Sequence, residues 1–313
     1  MADMPSAIQP DLKGVYIATE FIIAMLAITG NFLVCLAVTL NKKLRTITNY
    51  FLVSLAVADI LVGLVAIPCA VLTDLGKPHH DLPLCLLLLS VLMFLTQSSI
   101  LSLLAVAAER YMAILLPFQY QRIMSPRTAW LALFVTWVFG AISGSVPLMD
   151  WHKKPADSGY CIFTCVVDMR NMVYFNFFCC LLVPLVAMYI IYGHIFLTVR
   201  RQLRSAAVEP QLGELKGAKS KVRTRQDLRK AHSLFLVLFL FTVCWMPIHL
   251  INCVLLLYPQ CGIPMSVILS AVLLSHANSA INPILYAYRM RSFRHTLRGM
   301  CRATHSVQPK SQE

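Results

Sequence analysis

The chain has 313 residues, 58% of them hydrophobic and 13% charged, with a mean hydropathy of +0.69. Soluble domains carry roughly 25% charged residues, so this composition excludes an ordinary soluble enzyme and indicates a membrane protein. The net charge of +13 does not signify nucleic acid, because the basic residues gather in particular loops between apolar runs.

A hydrocarbon layer about 30 Å thick needs roughly 20 apolar residues per helix. Seven stretches meet that length: 15–40, 48–73, 83–115, 128–149, 171–200, 230–257 and 263–288. The fold class expected is therefore an all-α membrane protein, a bundle of seven transmembrane helices between a short N-terminus (1–14) and a tail (302–313). The first stretch does not read as a signal peptide, since no basic segment precedes it and no small-residue cleavage site closes it. Between spans five and six lies the one long polar segment, Arg200 to Lys230, whose Gly, Pro, Lys and Arg content suggests helix extensions around a mobile middle. After span seven, "RMRSFRHTLRGMC" sets Met290, Phe293, Leu297 and Met300 at helical spacing among basic residues, the pattern of a short amphipathic helix (289–301) on an anionic membrane face. Cys301 at its end is a palmitoylation candidate.

Twenty-two of the 27 Lys and Arg residues fall on one set of alternate loops and the tail. The positive-inside rule then sets the N-terminus outside and the C-terminus in the cytoplasm of a multi-pass plasma-membrane protein, as an odd number of spans requires. Most of the 11 cysteines sit in apolar spans as small buried hydrophobes. Cys85, Cys161, Cys165 and Cys261 fall at outer ends, and a bridge from Cys85 to Cys161 would pin the second outer loop over the bundle mouth. No internal repeat is visible, which argues against a transporter built from duplicated halves.

Single polar residues recur inside the spans: Asn31, Asp59, Ser99, Asn278 and Asn282. A lone intramembrane carboxylate either takes a proton or finds a cation, and oxygen donors around it suit a small hard ion such as sodium. A hydrogen-bonded network that only ties helices together is the other reading.

Three further motifs bring a resemblance into view. "AERY" (Ala108–Tyr111) ends span three, "CWMP" (Cys244–Pro247) kinks span six and "NPILY" (Asn282–Tyr286) closes span seven. With Asn31, Asp59 and Pro184 they resemble the class A, rhodopsin-like G protein-coupled receptors. Within that class "TNYFLVSLAVAD", "LTQSSILSLLAVA", "NMVYFNFF", "HLINC" and "LSHANS" are similar to adenosine receptors over most of the chain between Val15 and Arg298. The resemblance implies adenosine as ligand and no enzymatic activity. Phe163 would stack on the adenine ring, Asn252 would pair with the purine amine and ring nitrogen, and Ser275 and His276 would take the ribose hydroxyls. Thr96 would lie at the 5′ side, with Leu92, Met172, Trp245, Ile248, His249, Leu269 and Glu20 completing the site. No cofactor is expected; a sodium ion held by Asp59, Ser99, Asn278 and Asn282 is the expected allosteric ligand.

The resemblance also implies an activation switch. Arg110 would be held by Glu109 and by Asp227, and released toward a heterotrimeric G protein. Pro184, Ile100 and Phe241 would form a packing switch beneath Trp245, and Tyr192 and Tyr286 a pair that rearranges near Arg110. Arrestin, receptor kinases and the lipid bilayer are the other expected partners. Departures from the family pattern are Thr164 where a Glu is common, Leu269 where a Tyr is common, and Glu109 in place of Asp. The effector expected is adenylyl cyclase; "SLFLVLFLF" and "WLALFVTW" look closer to inhibitory subtypes, "TNYF" and "VCLAV" to stimulating ones, and inhibition is the direction expected. An amine ligand is disfavoured because Leu92 stands where amine receptors need a carboxylate. A nucleotide or lipid ligand is the alternative reading.

Overall fold

Seven helices long and apolar enough to cross a membrane account for most of the chain. They are α1 (Asp11–Leu40), α2 (Ile47–Asp74), α3 (Leu82–Leu115), α4 (Pro126–Gly144), α5 (Met169–Gln202), α6 (Phe235–Leu257) and α7 (Met265–Tyr288). This computed structural model describes residues 10–149, 161–208 and 214–289, with 294–296 and 299 beyond them; for 10, 43, 164, 165, 203, 205–208, 214–231, 233, 234 and 289 only the backbone is described. The hydrophobic face of the proposed amphipathic helix (Met290, Phe293, Leu297, Met300) and Cys301 lie outside the described residues. So do the side chains of Asp227, Thr164 and Cys165.

Local chemistry sets where the helices start. Thr46 accepts a hydrogen bond from the Asn49 N–H, Asp81 from Leu84 N–H at 3.0 Å and Ser125 from Thr128 N–H at 3.2 Å. Each satisfies an orphan donor of the first turn. Pro83 and Pro126 stand in the first turn of α3 and α4, where a missing N–H costs nothing. Gly76 adopts φ 75° just past α2, the left-handed geometry that favours glycine after a helix. Its carbonyl accepts the Cys161 N–H at 3.2 Å.

The bundle centres on α3, which packs against α2, α4 and α5, while α7 closes the ring between α1 and α6. Phe51, Leu55, Leu103, Leu181, Met188, Leu238 and Phe241 form the main buried core. Large apolar side chains such as Phe21 and Phe134 are about two-thirds exposed, as a lipid-facing surface requires. Helix α4 lies tight on α3: a Cβ at Gly144 would come within 2.7 Å of the Phe94 Cβ. Trp137 of α4 reaches past α3 to donate to Ser54 Oγ of α2 at 3.0 Å.

Prolines within spans free carbonyls, and the chain answers two of them from neighbouring helices. Pro184 has no N–H for the Cys180 carbonyl four residues earlier; Gln97 Nε2 of α3 donates to it at 2.9 Å. Pro283 likewise leaves the Ser279 carbonyl, which accepts Asn31 Nδ2 of α1 at 2.9 Å. Gly30 makes that approach possible, since a Cβ there would lie 2.9 Å from Pro283 Cγ. Both Pro68 and Pro184 follow π-helical turns, Val62–Ala66 and Met172–Leu182.

Candidate functional site

The disulfide between Cys85 and Cys161 marks one end of the bundle and Arg110 the other. From the disulfide end a cavity of about 190 Å3 descends between α2, α3, α5, α6 and α7. Phe163 reaches its wall because Cys161, two residues earlier, is tied to the head of α3. Phe163, Leu82 and Met172 pack against the buried cluster that holds Leu86 and Val166. Of the expected ligand-site residues, Leu92, Thr96, Phe163, Met172, Trp245, Ile248, His249, Asn252, Leu269, Ser275 and His276 all line the cavity.

Their chemistry differs along its depth. Asn252, Ser275 and His276 are buried, presenting an amide, a hydroxyl and an imidazole to one apolar slot. Ser275 Oγ donates to the Val272 carbonyl at 2.7 Å and Thr96 Oγ1 to the Leu92 carbonyl at 3.0 Å, which leaves hydroxyl lone pairs for a guest. At the Arg110-ward end stand Ile100 and Trp245. Trp245 is 6.0 Å from Phe241 and 6.1 Å from His249 between ring centroids, and His249 stacks on Phe177 at 5.1 Å.

Glu20 is displaced from the cavity wall expected for it. It lies behind His276, with Oε1 2.7 Å from His276 Nδ1, so it orients the imidazole and fixes which nitrogen faces inward. Asn176, Gln97 and Asp74, none of them expected there, also line the cavity, and the Tyr16 hydroxyl donates to Asp74 Oδ2 at 2.5 Å. An isolated Asp at the end of an apolar run was the only available signal for the last pair.

Deeper in the bundle Asp59 is fully buried. Ser99 Oγ and Ser279 Oγ donate to its Oδ1 at 3.2 and 2.9 Å, and Asn282 Nδ2 to its Oδ2 at 2.8 Å. Ser279, polar within span seven but not among the residues expected at the ion, takes the place expected of Asn278, which is buried nearby without a bond to Asp59. One carboxylate and two hydroxyls gather hard oxygens of the kind that fit a small monovalent cation, with the Asn282 amide nitrogen held on the carboxylate.

At the opposite end Arg110 grips Glu109 through two hydrogen bonds, Nε to Oε2 at 2.6 Å and a terminal nitrogen to Oε1 at 2.8 Å. Thr48 and Tyr120 also donate to Glu109 Oε1, at 2.9 and 2.7 Å. Tyr120 sits in the turn of helix Pro117–Ile123, outside the spans. Burial first, then its bond to Glu109, pushes its phenol up to about 12. Tyr192, Tyr286, Pro184, Ile100 and Phe241 are all buried in the interior between this end and the cavity.

A cavity open at one end of seven spanning helices, a buried ionic pair at the other and a packed aromatic column between them suit a membrane receptor. Residues 30–286 match the 7 transmembrane receptor (rhodopsin family). The chain is 42% identical over 307 residues to adenosine receptor A2a of Homo sapiens, covering 93% of this chain and 73% of that one. It is 43% identical to adenosine receptor A2b of Gallus gallus (91% and 87% covered) and 40% identical to adenosine receptor A3 of Ovis aries (95% of each). The chain belongs to the adenosine receptor family of rhodopsin-like seven-transmembrane receptors.

Proposed function

We propose that this receptor binds extracellular adenosine in the cavity and signals through heterotrimeric G proteins to adenylyl cyclase. The observation that carries the reading is the convergence of Phe163, Asn252, Ser275 and His276 on one slot. An aromatic face suits a purine, a primary amide pairs with an amine–ring-nitrogen edge, and a hydroxyl beside an imidazole suits vicinal ribose hydroxyls. Thr96 sits deeper for the 5′ hydroxyl, Leu92, Met172, Ile248, His249, Trp245 and Leu269 supply apolar contact, and Glu20 holds His276 in register. The relatives' names, all adenosine receptors, support the same ligand.

Binding at this slot acts on Trp245 and, through Phe241, Ile100 and Pro184, on the packing above Arg110. An agonist shifts the equilibrium only by its difference in affinity for the two states. Release of Arg110 from Glu109 and Asp227, with Tyr192 and Tyr286 rearranging beside it, opens the G protein face. A sodium ion at Asp59, with Ser99, Ser279, Asn278 and Asn282 around it, favours the inactive arrangement. The N-terminus is extracellular and the C-terminus cytoplasmic, supported by the basic loops; Cys301 is palmitoylated, and receptor kinases and arrestin act on the cytoplasmic face. Inhibition of adenylyl cyclase is the direction of coupling, resting on the stretches "SLFLVLFLF" and "WLALFVTW".

The test is saturation binding of a labelled adenosine agonist to membranes carrying the receptor and its Asn252→Ala variant. Specific binding by the receptor and its loss in the variant is the expected result. Binding that survives the substitution would move the purine contact elsewhere, and a surface-expressed receptor without binding would refute the ligand.

A further inference from the structure

The disulfide end of the cavity carries a carboxylate that the nucleoside contacts leave unused. Asp74 closes α2 and shares the wall with Thr73 and Ala70. Tyr16 of α1, itself buried, holds one oxygen of that carboxylate at 2.5 Å. The other oxygen has no hydrogen bond or ion pair among the described residues. The cavity walls carry neither Lys nor Arg among the described residues, and the His276 imidazole, which acts on Asp74 across the cavity, is already engaged by Glu20 at 2.7 Å. Glu20 lies one turn beyond Tyr16 on the same face of α1, so two carboxylates stand here against at most one imidazolium.

A part-buried carboxylate fixed by a tyrosine and lacking a cation is costly when empty and favours a guest that brings the missing positive charge. We propose that Asp74 forms a cation subsite, which takes a protonated amine carried by a purine nucleoside and selects such ligands over neutral ones of the same shape. The subsite rests on the adenosine reading above and deepens it. The same charge works against a phosphate group in the cavity, which separates this site from a nucleotide site.

The experiment uses membranes of the full receptor and competition against a labelled adenosine agonist. The competitors are adenosines extended at N6, C2 or the 5′ position by a short chain ending in a primary amine, each paired with its methyl-ended isostere. At one or more of the three positions the amine-ended member binds the receptor about ten-fold tighter than its isostere, the size of one charge-assisted hydrogen bond. In Asp74→Asn that ratio falls to near one. The ratio is the readout, so a change in absolute affinity does not obscure it, and the unsubstituted receptor tests the idea without any variant. Ratios near one at all three positions in the receptor, or a preference that persists in Asp74→Asn, would overturn the subsite. Absence of specific adenosine binding by the receptor would overturn the adenosine reading, and the subsite with it.

Discussion

Asn31 of α1 donates its side-chain amide to the Ser279 carbonyl of α7 at 2.9 Å, the carbonyl that Pro283 cannot serve. A second bond, to the Ala27 carbonyl at 2.9 Å, fixes the amide's orientation. One side chain thus mends the proline break in α7 and welds α7 to α1. Asn31→Ala removes both bonds and leaves a buried carbonyl bare, at a cost of about 1–2 kcal/mol. A thermal unfolding assay on detergent-purified receptor is expected to show a Tm lower by about 3–6 °C. Gly30→Val, which drives a branched side chain into Pro283, is expected to do at least as much damage.

Asp59 gives a prediction about salt. If the oxygen set around it holds sodium, agonist affinity falls about ten-fold as sodium chloride replaces choline chloride at constant ionic strength. Asp59→Asn abolishes that dependence, because no carboxylate remains to balance the ion. Agonist competition curves in the two salts check this, and an unchanged sodium response in the variant would remove the ion from the site.

Glu109 accepts from Arg110, Thr48 and Tyr120. Tyr120→Phe deletes a donor to Glu109 worth about 1–1.5 kcal/mol and loosens the carboxylate that restrains Arg110. Basal nucleotide exchange on a reconstituted G protein is expected to rise several-fold. The phenol of Tyr120 is pushed up to about 12, so its proton is bound more tightly in the folded receptor than in the unfolded chain. Its contribution is therefore complete below about pH 10 and lost only as pH climbs through about 12. Between pH 6 and 9 the wild-type and Tyr120→Phe activities should keep a constant ratio as far as this group is concerned.

Phe163 depends on the disulfide two residues before it. Phe163→Ala is expected to weaken agonist binding by about 1–3 kcal/mol, roughly 5- to 150-fold, the usual worth of a base stacked on an aromatic ring. Cys161→Ser should reproduce most of that loss in saturation binding even in receptor that reaches the cell surface, because the wall segment Phe163–Val166 loses its anchor on α3.

The spans were legible because hydropathy and length alone define them, and all seven appear. The polar residues within them were legible as a set for the same reason: Asn31, Asp59, Ser99 and Asn282 have no business in lipid unless they meet. What the sequence left undecided was which neighbour meets which. Asn278, Ser279 and Asn282 lie within little more than one helical turn, and the rotation of α7 about its axis, set by tertiary packing, turns Ser279 rather than Asn278 toward Asp59. Glu20, expected in the cavity wall, stands behind it, because a helix face known only to within a residue cannot separate a wall from its backing. Tyr16 and Asp74 are 58 positions apart, and no local pattern links them. Gln97 could have been found by asking who serves the carbonyl that Pro184 abandons, a question the chain poses in plain sight.

The π-helical stretch Met172–Leu182 has a mechanical consequence for α5. Each π turn takes in about one residue more than an α turn, so the two ends of the span are wound out of phase. Met172 and Asn176 face the cavity while Tyr192, lower on the same rod, faces the core beside α3 and α6. The helix behaves as a pair of cams on one shaft, their angular offset fixed by the underwound collar between them. Removing one residue from the collar would re-index the upper cam against the lower without altering a single side chain on either.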